Sequence, residues 1–232
     1  MRIKICGIQN EEELAIAINS GCDTVGFQVG QLHSSKSFIL PSTASRLMKL
    51  LPPYITPVLV THLATAEDIL GIANHAEIYN IQLHNIEFSE LCRLRDQLPE
   101  NGKIILTVYP SMLGMRSWVD EAFPLLSAIN FDVYHNSPAE IGISDNNAYD
   151  WDLCRDFIKR ALVPVMICGH LESKNVAEAI RLTNPFGVDV CSGVKKSGED
   201  FFCDPLKCLD FVEAVRLAEL DKIARLKRDL SA

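Results

Sequence analysis

Arg2-Ile3-Lys4-Ile5-Cys6-Gly7-Ile8, followed closely by Asn10-Glu11-Glu12-Glu13-Leu14, is the stretch on which the reading of the fold turns. Ile3 and Ile5 alternate with Lys4 and Cys6 before a glycine stops the run. That pattern predicts a short strand ending in a tight turn, with a thiol at its exit. Asn10 is a good N-cap residue and three glutamates suit the first turn of a helix, so a helix is expected next. The order strand, thiol, glycine, helix puts Cys6 at the carboxyl end of a strand, where α/β folds place their chemistry.

Outward from this unit the chain repeats it. Strands are expected at Thr24–Gly30, Thr56–Leu63, Tyr79–His84, Lys103–Tyr109, Phe131–Ser137, Val163–Cys168 and Val188–Ser192. Helical spacing is read over Pro41–Leu51, Thr65–Ala76, Phe88–Leu98, Ser117–Ile129 (with a kink at Pro124), Asp150–Ala161, Ser173–Leu182 and Pro205–Leu230. The strands are mostly continuous apolar runs, as in a parallel sheet buried on both faces. Eight strand–helix units of about 25 to 30 residues predict an α/β fold, a (βα)8 TIM barrel. A doubly wound open sheet is the competing architecture, weakened by the absence of GxGxxG after the first strand. No shift in composition marks a linker, so residues 1–232 are expected to form one domain with an extended C-terminal helix after about 205. The longer loops, Gln31–Leu40 and Pro138–Tyr149, would lie on the catalytic face.

At 232 residues and 48% hydrophobic content the chain can bury a substantial core. A net charge of −8 argues against nucleic acid or an anionic membrane as the main partner, while leaving room for a small anionic substrate. No apolar run reaches the roughly 18 residues of a membrane span, and no signal peptide is read at the N-terminus. Eight cysteines are spread along the chain with no CxxC pair and no zinc-finger spacing. Reduced, buried thiols in a cytoplasmic protein with no metal are expected.

The loop Cys168-Gly169-His170-Leu171-Glu172-Ser173 and the segment Cys191-Ser192-Gly193-Val194 follow strands seven and eight. In a (βα)8 barrel these loops frequently hold a phosphate on backbone N–H groups. Alternatively the two glycines only turn the chain. Lys195 and Lys196 either add charge to that site or form an exposed, solvated pair.

Taken in order, these motifs resemble the phosphoribosylanthranilate isomerase family, the cofactor-free barrel enzymes of tryptophan biosynthesis. The resemblance rests on Lys4-Ile5-Cys6-Gly7-Ile8, Gln82-Leu83-His84, Asp150-Trp151, Asn175-Val176 and Gly187-Val188-Asp189-Val190-Cys191-Ser192-Gly193-Val194, where Cys191 stands at a position usually serine. It implies an Amadori rearrangement of a phosphoribosyl-amine, with Cys6 as the general base. It also implies Lys36, Ser37, His84 and Asp189 as substrate-binding residues and Gly169, His170, Ser192 and Gly193 as phosphate-binding residues. No cofactor, a small phosphorylated substrate, and a monomer or homodimer are implied as well.

The family acid is an aspartate at the end of strand six, followed by serine. Aligning on Ser137 places Asn136 there, with His135 beside it and pointing to the other face unless the register slips by one. The family's glycine-rich loop is replaced by Ile143-Ser144-Asp145-Asn146. Counting back from Pro41 puts Ser37 at a substrate-contacting arginine, next to Lys36, and a lysine lacks the planar fork. Two functions follow: an active isomerase, or a diverged relative that binds a phosphorylated ligand or runs a different reaction.

Overall fold

Along Arg2–Cys6 the side chains of Ile3 and Ile5 are buried on one face and those of Lys4 and Cys6 on the other. That two-faced burial is what a parallel sheet inside a shell of helices imposes. The computed structural model describes residues 1–32, 36–113, 118–133, 150–196 and 201–230. It repeats the pattern in β1 (Arg2–Cys6), β2 (Thr24–Gln28), β3 (Thr56–Thr61), β4 (Asn80–Leu83), β5 (Lys103–Val108), β6 (Ala128–Asp132), β7 (Val165–Cys168) and β8 (Gly187–Val190). Each strand pairs in parallel with the next, and β8 pairs with β1, closing the barrel. The seam sets Lys4 beside Asp189 and Ile5 beside Val190. An open sheet is thereby excluded.

The helices are α1 (Glu11–Asn19), α2 (Pro41–Met48), α3 (Ala66–Ala76), α4 (Phe88–Gln97), α5 (Val119–Ala122), α6 (Trp151–Arg160), α7 (Val176–Thr183) and α8 (Pro205–Asp229). Asn10 caps α1 by accepting from the Glu13 N–H. Outward-facing strand residues such as Ile3, Val25, Ile81, Ile129 and Val188 pack with the helices into one apolar layer. Among the described residues the barrel interior holds a small apolar cluster, Cys6, Val58 and Val60 with Ile105 and Cys191 against it. Its middle is polar: Lys4, Gln82, Thr107, Asn130 and Asp189 are all buried there.

One region departs from the sequence reading. The helix expected over Ser117–Ile129 is four residues of α5 followed by a 3₁₀ turn at Phe123–Leu125. Pro124 has no N–H to continue the helical ladder, and the chain enters β6 at Ala128. Strand six therefore runs Ala128–Asp132 and begins three residues before the expected Phe131, while 134–137 of the expected span lie outside the described residues. Ile129 and Phe131 point out to the helices, with the Phe131 and Phe157 ring centroids 5.1 Å apart.

Asp204 caps α8 by accepting from the N–H groups of Leu206 and Lys207. Cys208, Phe211, Val212 and Val215 face the core, whereas Leu217, Leu220, Ile223 and Leu226 are exposed. The Met1 amino group pairs with Glu219 on this helix. Among the described residues no helix is long and apolar enough to cross a membrane.

Candidate active site at the carboxyl ends of the strands

Parity along each strand decides which side chains reach the barrel mouth. Lys4 and Cys6 point inward on β1, Ala128, Asn130 and Asp132 on β6, and Asp189 on β8, with Cys191 just past its end. A cavity of about 190 Å³ opens at the carboxyl ends of the strands, and Cys6, His84, Asp132, Cys168, Asp189 and Cys191 all line it. Gln28, His62, Gly169, His170 and Ser192 complete much of the wall.

Cys6 is 5% exposed at the floor of this cavity. Its thiol is lowered to about 7, chiefly by a hydrogen bond from Cys191, against burial and with help from the Lys4 ammonium. A thiol so placed carries a large thiolate fraction at neutral pH. Cys168, also facing the cavity, is pushed well up by burial and by Asp132, so it stays a thiol. Cys191 is raised as well, because its S–H is engaged by Cys6 and it is buried.

Beneath the thiol lies a buried ion pair. Lys4 Nζ is 2.6 Å from Asp189 Oδ2, with the two side chains 2% and 6% exposed. Burial alone would lower the lysine, but Asp189 and Cys6 hold it well above its usual value, so it stays charged. Asn130 Nδ2 donates to the same Asp189 oxygen at 2.7 Å. Asp189 Oδ1 and Asn130 Oδ1 are left without a hydrogen-bond partner. A buried carboxylate oxygen in that state is an acceptor ready for a ligand hydroxyl, since leaving it unmet costs free energy.

Across the mouth, the His84 ring stacks on His62 with centroids 4.2 Å apart. Its Nδ1 is 2.6 Å from the Tyr109 hydroxyl, and its Nε2 is 3.2 Å from Thr107 Oγ1. Burial keeps the Tyr109 phenol protonated, and its hydrogen bond with Nδ1 fixes the ring.

The loops after β7 and β8 meet at one edge. Gly169 has φ +100° and His170 φ +49°. A Cβ on Gly193 would lie 1.9 Å from the Leu171 carbonyl oxygen, so only glycine lets these loops touch. Gly169, His170 and Ser192 line the cavity, while Gly193 sits behind them at that contact. Lys195 is not a surface cation. It is fully buried, 2.6 Å from Glu13 Oε1 on α1 and 2.7 Å from the Gly7 carbonyl oxygen, so its charge is spent on the scaffold; Lys196 is exposed. Glu13 also accepts from the N–H groups of Cys203 and Gln9.

Among the site residues expected from sequence, Cys6, His84, Asp189, Gly169, His170 and Ser192 converge on the cavity. Lys36 is exposed and Ser37 is buried against Gly7, and neither lines it. His135, Asn136 and the Ile143–Asn146 stretch lie outside the described residues, beyond the end of β6 at Asp132. Asp132 is the functional candidate that sequence reasoning missed. The signal was present: Ala128, Asn130 and Asp132 alternate with Ile129 and Phe131, which puts a carboxylate on the inward side at a strand end.

The cavity thus combines an ionisable thiol, a carboxylate on another strand, an unsatisfied acceptor and a glycine-turned loop edge. Comparison with known proteins bears on what such a site does. Residues 3–213 match the family model described as N-(5'phosphoribosyl)anthranilate (PRA) isomerase. N-(5'-phosphoribosyl)anthranilate isomerase 2 of Methanosarcina mazei is 35% identical over 217 residues, covering 93% of this chain and 94% of that protein. The crystal structure of phosphoribosyl anthranilate isomerase from Thermotoga maritima superposes with a TM-score of 0.74 at 29% identity, covering 93% and 98%. A structure of the isomerase in complex with reduced 1-(o-carboxyphenylamino)-1-deoxyribulose 5-phosphate superposes at 0.72 with the same identity and coverage.

Proposed function

Since the chain belongs to the N-(5'-phosphoribosyl)anthranilate isomerase family, we propose that it converts phosphoribosylanthranilate to the corresponding 1-amino-1-deoxyribulose phosphate by an Amadori rearrangement. The observation that carries this reading is the pair Cys6 and Asp132, on β1 and β6, lining one cavity whose edge is the glycine-turned loop after β7.

The rearrangement needs an acid at the ring oxygen and a base at C2. Asp132 takes the acid role: its carboxyl proton goes to the furanose oxygen as the C1–O bond breaks, leaving a Schiff base at C1. Cys6 takes the base role: its thiolate removes the C2 proton, and the electron pair moves toward nitrogen to give an enolamine. That enolamine becomes the ketone when the O2 proton is lost and C1 gains one. Asp189 Oδ1 is assigned to a sugar hydroxyl, in keeping with its unmet acceptor. His84, held by Tyr109 and Thr107, is assigned to the substrate wall. Gly169, His170 and Ser192 are assigned to the phosphate, with Gly193 supporting them from behind. Lys36 and Ser37 are left out of the contact set, because neither lines the cavity.

The alternative of a diverged, non-isomerising relative drew on the apparent loss of the family acid, arginine and glycine-rich loop. A carboxylate at the end of β6 answers the first of the three. The reaction asks nothing of a metal or cofactor. A cytoplasmic enzyme acting on a small phosphorylated substrate, with neither nucleic acid nor membrane as partner, fits the acidic charge. Sedimentation distinguishes a monomer from a homodimer, the latter being the state of a dimeric relative from Thermotoga maritima.

Mixing the purified protein with freshly made phosphoribosylanthranilate and following the loss of anthranilate fluorescence tests the reading. Turnover that disappears in Cys6→Ser and in Asp132→Asn is expected. No turnover above the spontaneous rate overturns it.

A further inference from the structure

Three sulfurs line the cavity, those of Cys6, Cys168 and Cys191, and the reaction as described uses only one. We propose that Cys191 is a positioning residue for Cys6, donating its S–H to the Cys6 sulfur from the neighbouring strand end and so holding the base in its reactive, ionised form. The inference rests on Cys6 being the base and adds what makes it one.

Geometry brings the two thiols together. β1 and β8 run parallel with Ile5 opposite Val190, so Cys6 and Cys191 leave their strands side by side. Gln28 Nε2 lies 4.0 Å from Cys6 Sγ and 3.9 Å from Cys191 Sγ, so a single amide spans both sulfurs. The backbone crowds them from either side. A Cβ on Gly26 would fall 2.7 Å from Cys6 Sγ, and one on Gly7 would fall 2.9 Å from Cys191 Sγ. Little room is left for either sulfur to swing away, so the two thiols are held as neighbours at the mouth of the barrel.

The charges around the pair decide which sulfur keeps its proton. Facing Cys6 are Lys4 on its own strand, Asp189 on β8, Cys191 just past the end of β8, and Cys168 on β7. On β2 its neighbours are the uncharged Gly26 and Gln28. Lys4 favours an anion at Cys6, whereas Asp189 opposes one at either sulfur. The cation that acts on Cys191 is Lys195, whose ammonium is already bound to Glu13 and the Gly7 carbonyl. Negative charge therefore settles on Cys6 and the proton stays on Cys191, where it is a donor. The role requires an S–H or O–H at position 191 and nothing more specific, so serine can fill it and alanine cannot.

The test reads the thiolate directly and does not depend on turnover. Carbamidomethylation of Cys6 by iodoacetamide is followed by fragment mass spectrometry from pH 5.5 to 10 in the wild-type chain, Cys191→Ala and Cys191→Ser. The expected wild-type midpoint is about 7. In Cys191→Ala it moves up toward the free-thiol value of about 8.5, slowing modification at pH 7 about tenfold while the plateau at high pH is kept. In Cys191→Ser the midpoint returns to within a few tenths of wild type. The kcat/KM profile shifts in the same direction, which a packing defect alone would not produce. An unchanged midpoint in Cys191→Ala overturns the proposal, as does a Cys191→Ser midpoint that follows alanine. Full turnover by Cys6→Ser overturns the general-base reading instead, and the alkylation midpoints still report on the contact between the two sulfurs.

Discussion

The barrel is hollow at both ends, and the two hollows differ in kind. The mouth holds about 190 Å³ with Cys6, Asp132 and Asp189 converging on it. The base opens into a larger space of about 550 Å³, lined by Thr24, Thr56, Ile105, Ala128, Pro164 and Phe186, where Lys4 and Lys103 are the charged residues. Volume therefore does not mark the chemical end. Strand polarity does, because eight parallel strands deliver their last inward side chains, and the loops that follow, to one face. Lys4 belongs to both regions: it lines the base, while its ammonium reaches up to Asp189 at the mouth. Between the ends, the Lys4–Asp189–Asn130 network occupies the barrel interior and fixes the acceptor that faces the mouth.

Substitution at the mouth is expected to have the largest effect. Cys6→Ser and Asp132→Asn should each lower kcat about 10²–10⁴-fold in the fluorescence assay, with melting temperature close to wild type. A comparable loss from a base residue would erase the distinction between the ends. Lys4→Met probes the boundary. It leaves Asp189 as an unpaired buried carboxylate, and breaking a buried pair in this way costs about 3–5 kcal/mol, to be measured by urea unfolding. A cost below about 1 kcal/mol would mean that water already screens the network.

Proton concentration offers a smaller and more specific test. The base acts as a thiolate, so activity is lost as pH falls through the Cys6 value of about 7. The limb of log kcat/KM against pH should have unit slope, a tenfold loss per pH unit below pH 6. A limb centred near 8.5, the free-thiol value of about that figure, would mean that the environment does not assist ionisation. Smallest of all, Ala128→Val adds bulk to the base cavity and should change kcat/KM less than about twofold, with a stability change within about 1 kcal/mol. A large kinetic effect there would couple the two ends.

Much of the barrel could be read in advance because a strand–turn–helix unit leaves a local signature, and eight such units in series fit a closed parallel sheet. Cys6 was legible for the same reason: its place at a strand exit is set by the residues beside it. Asp132 was not. The apolar run Leu125-Leu126-Ser127-Ala128-Ile129 extended the helical spacing past Pro124, so strand six was placed three residues late and its carboxylate fell inside the strand instead of at its end. Lys195 and Glu13 illustrate a second limit. In sequence Lys195 reads as a phosphate-site charge or a solvated one and Glu13 as a first-turn carboxylate, and only closure of the ring brings together two residues 182 positions apart. The Lys4–Asp189 pair, 185 positions apart, was equally invisible.

The seam between the first and last strands has a consequence for the chain while it is being made. Cys6 is translated well before Asp189, Cys191 and Lys195. Until β8 docks, Cys6 has no neighbouring S–H and no settled lysine beneath it, so it behaves as any thiol in an unfinished polypeptide. Heightened nucleophilicity arrives together with the walls that restrict what can reach it, and a truncated translation product carries neither.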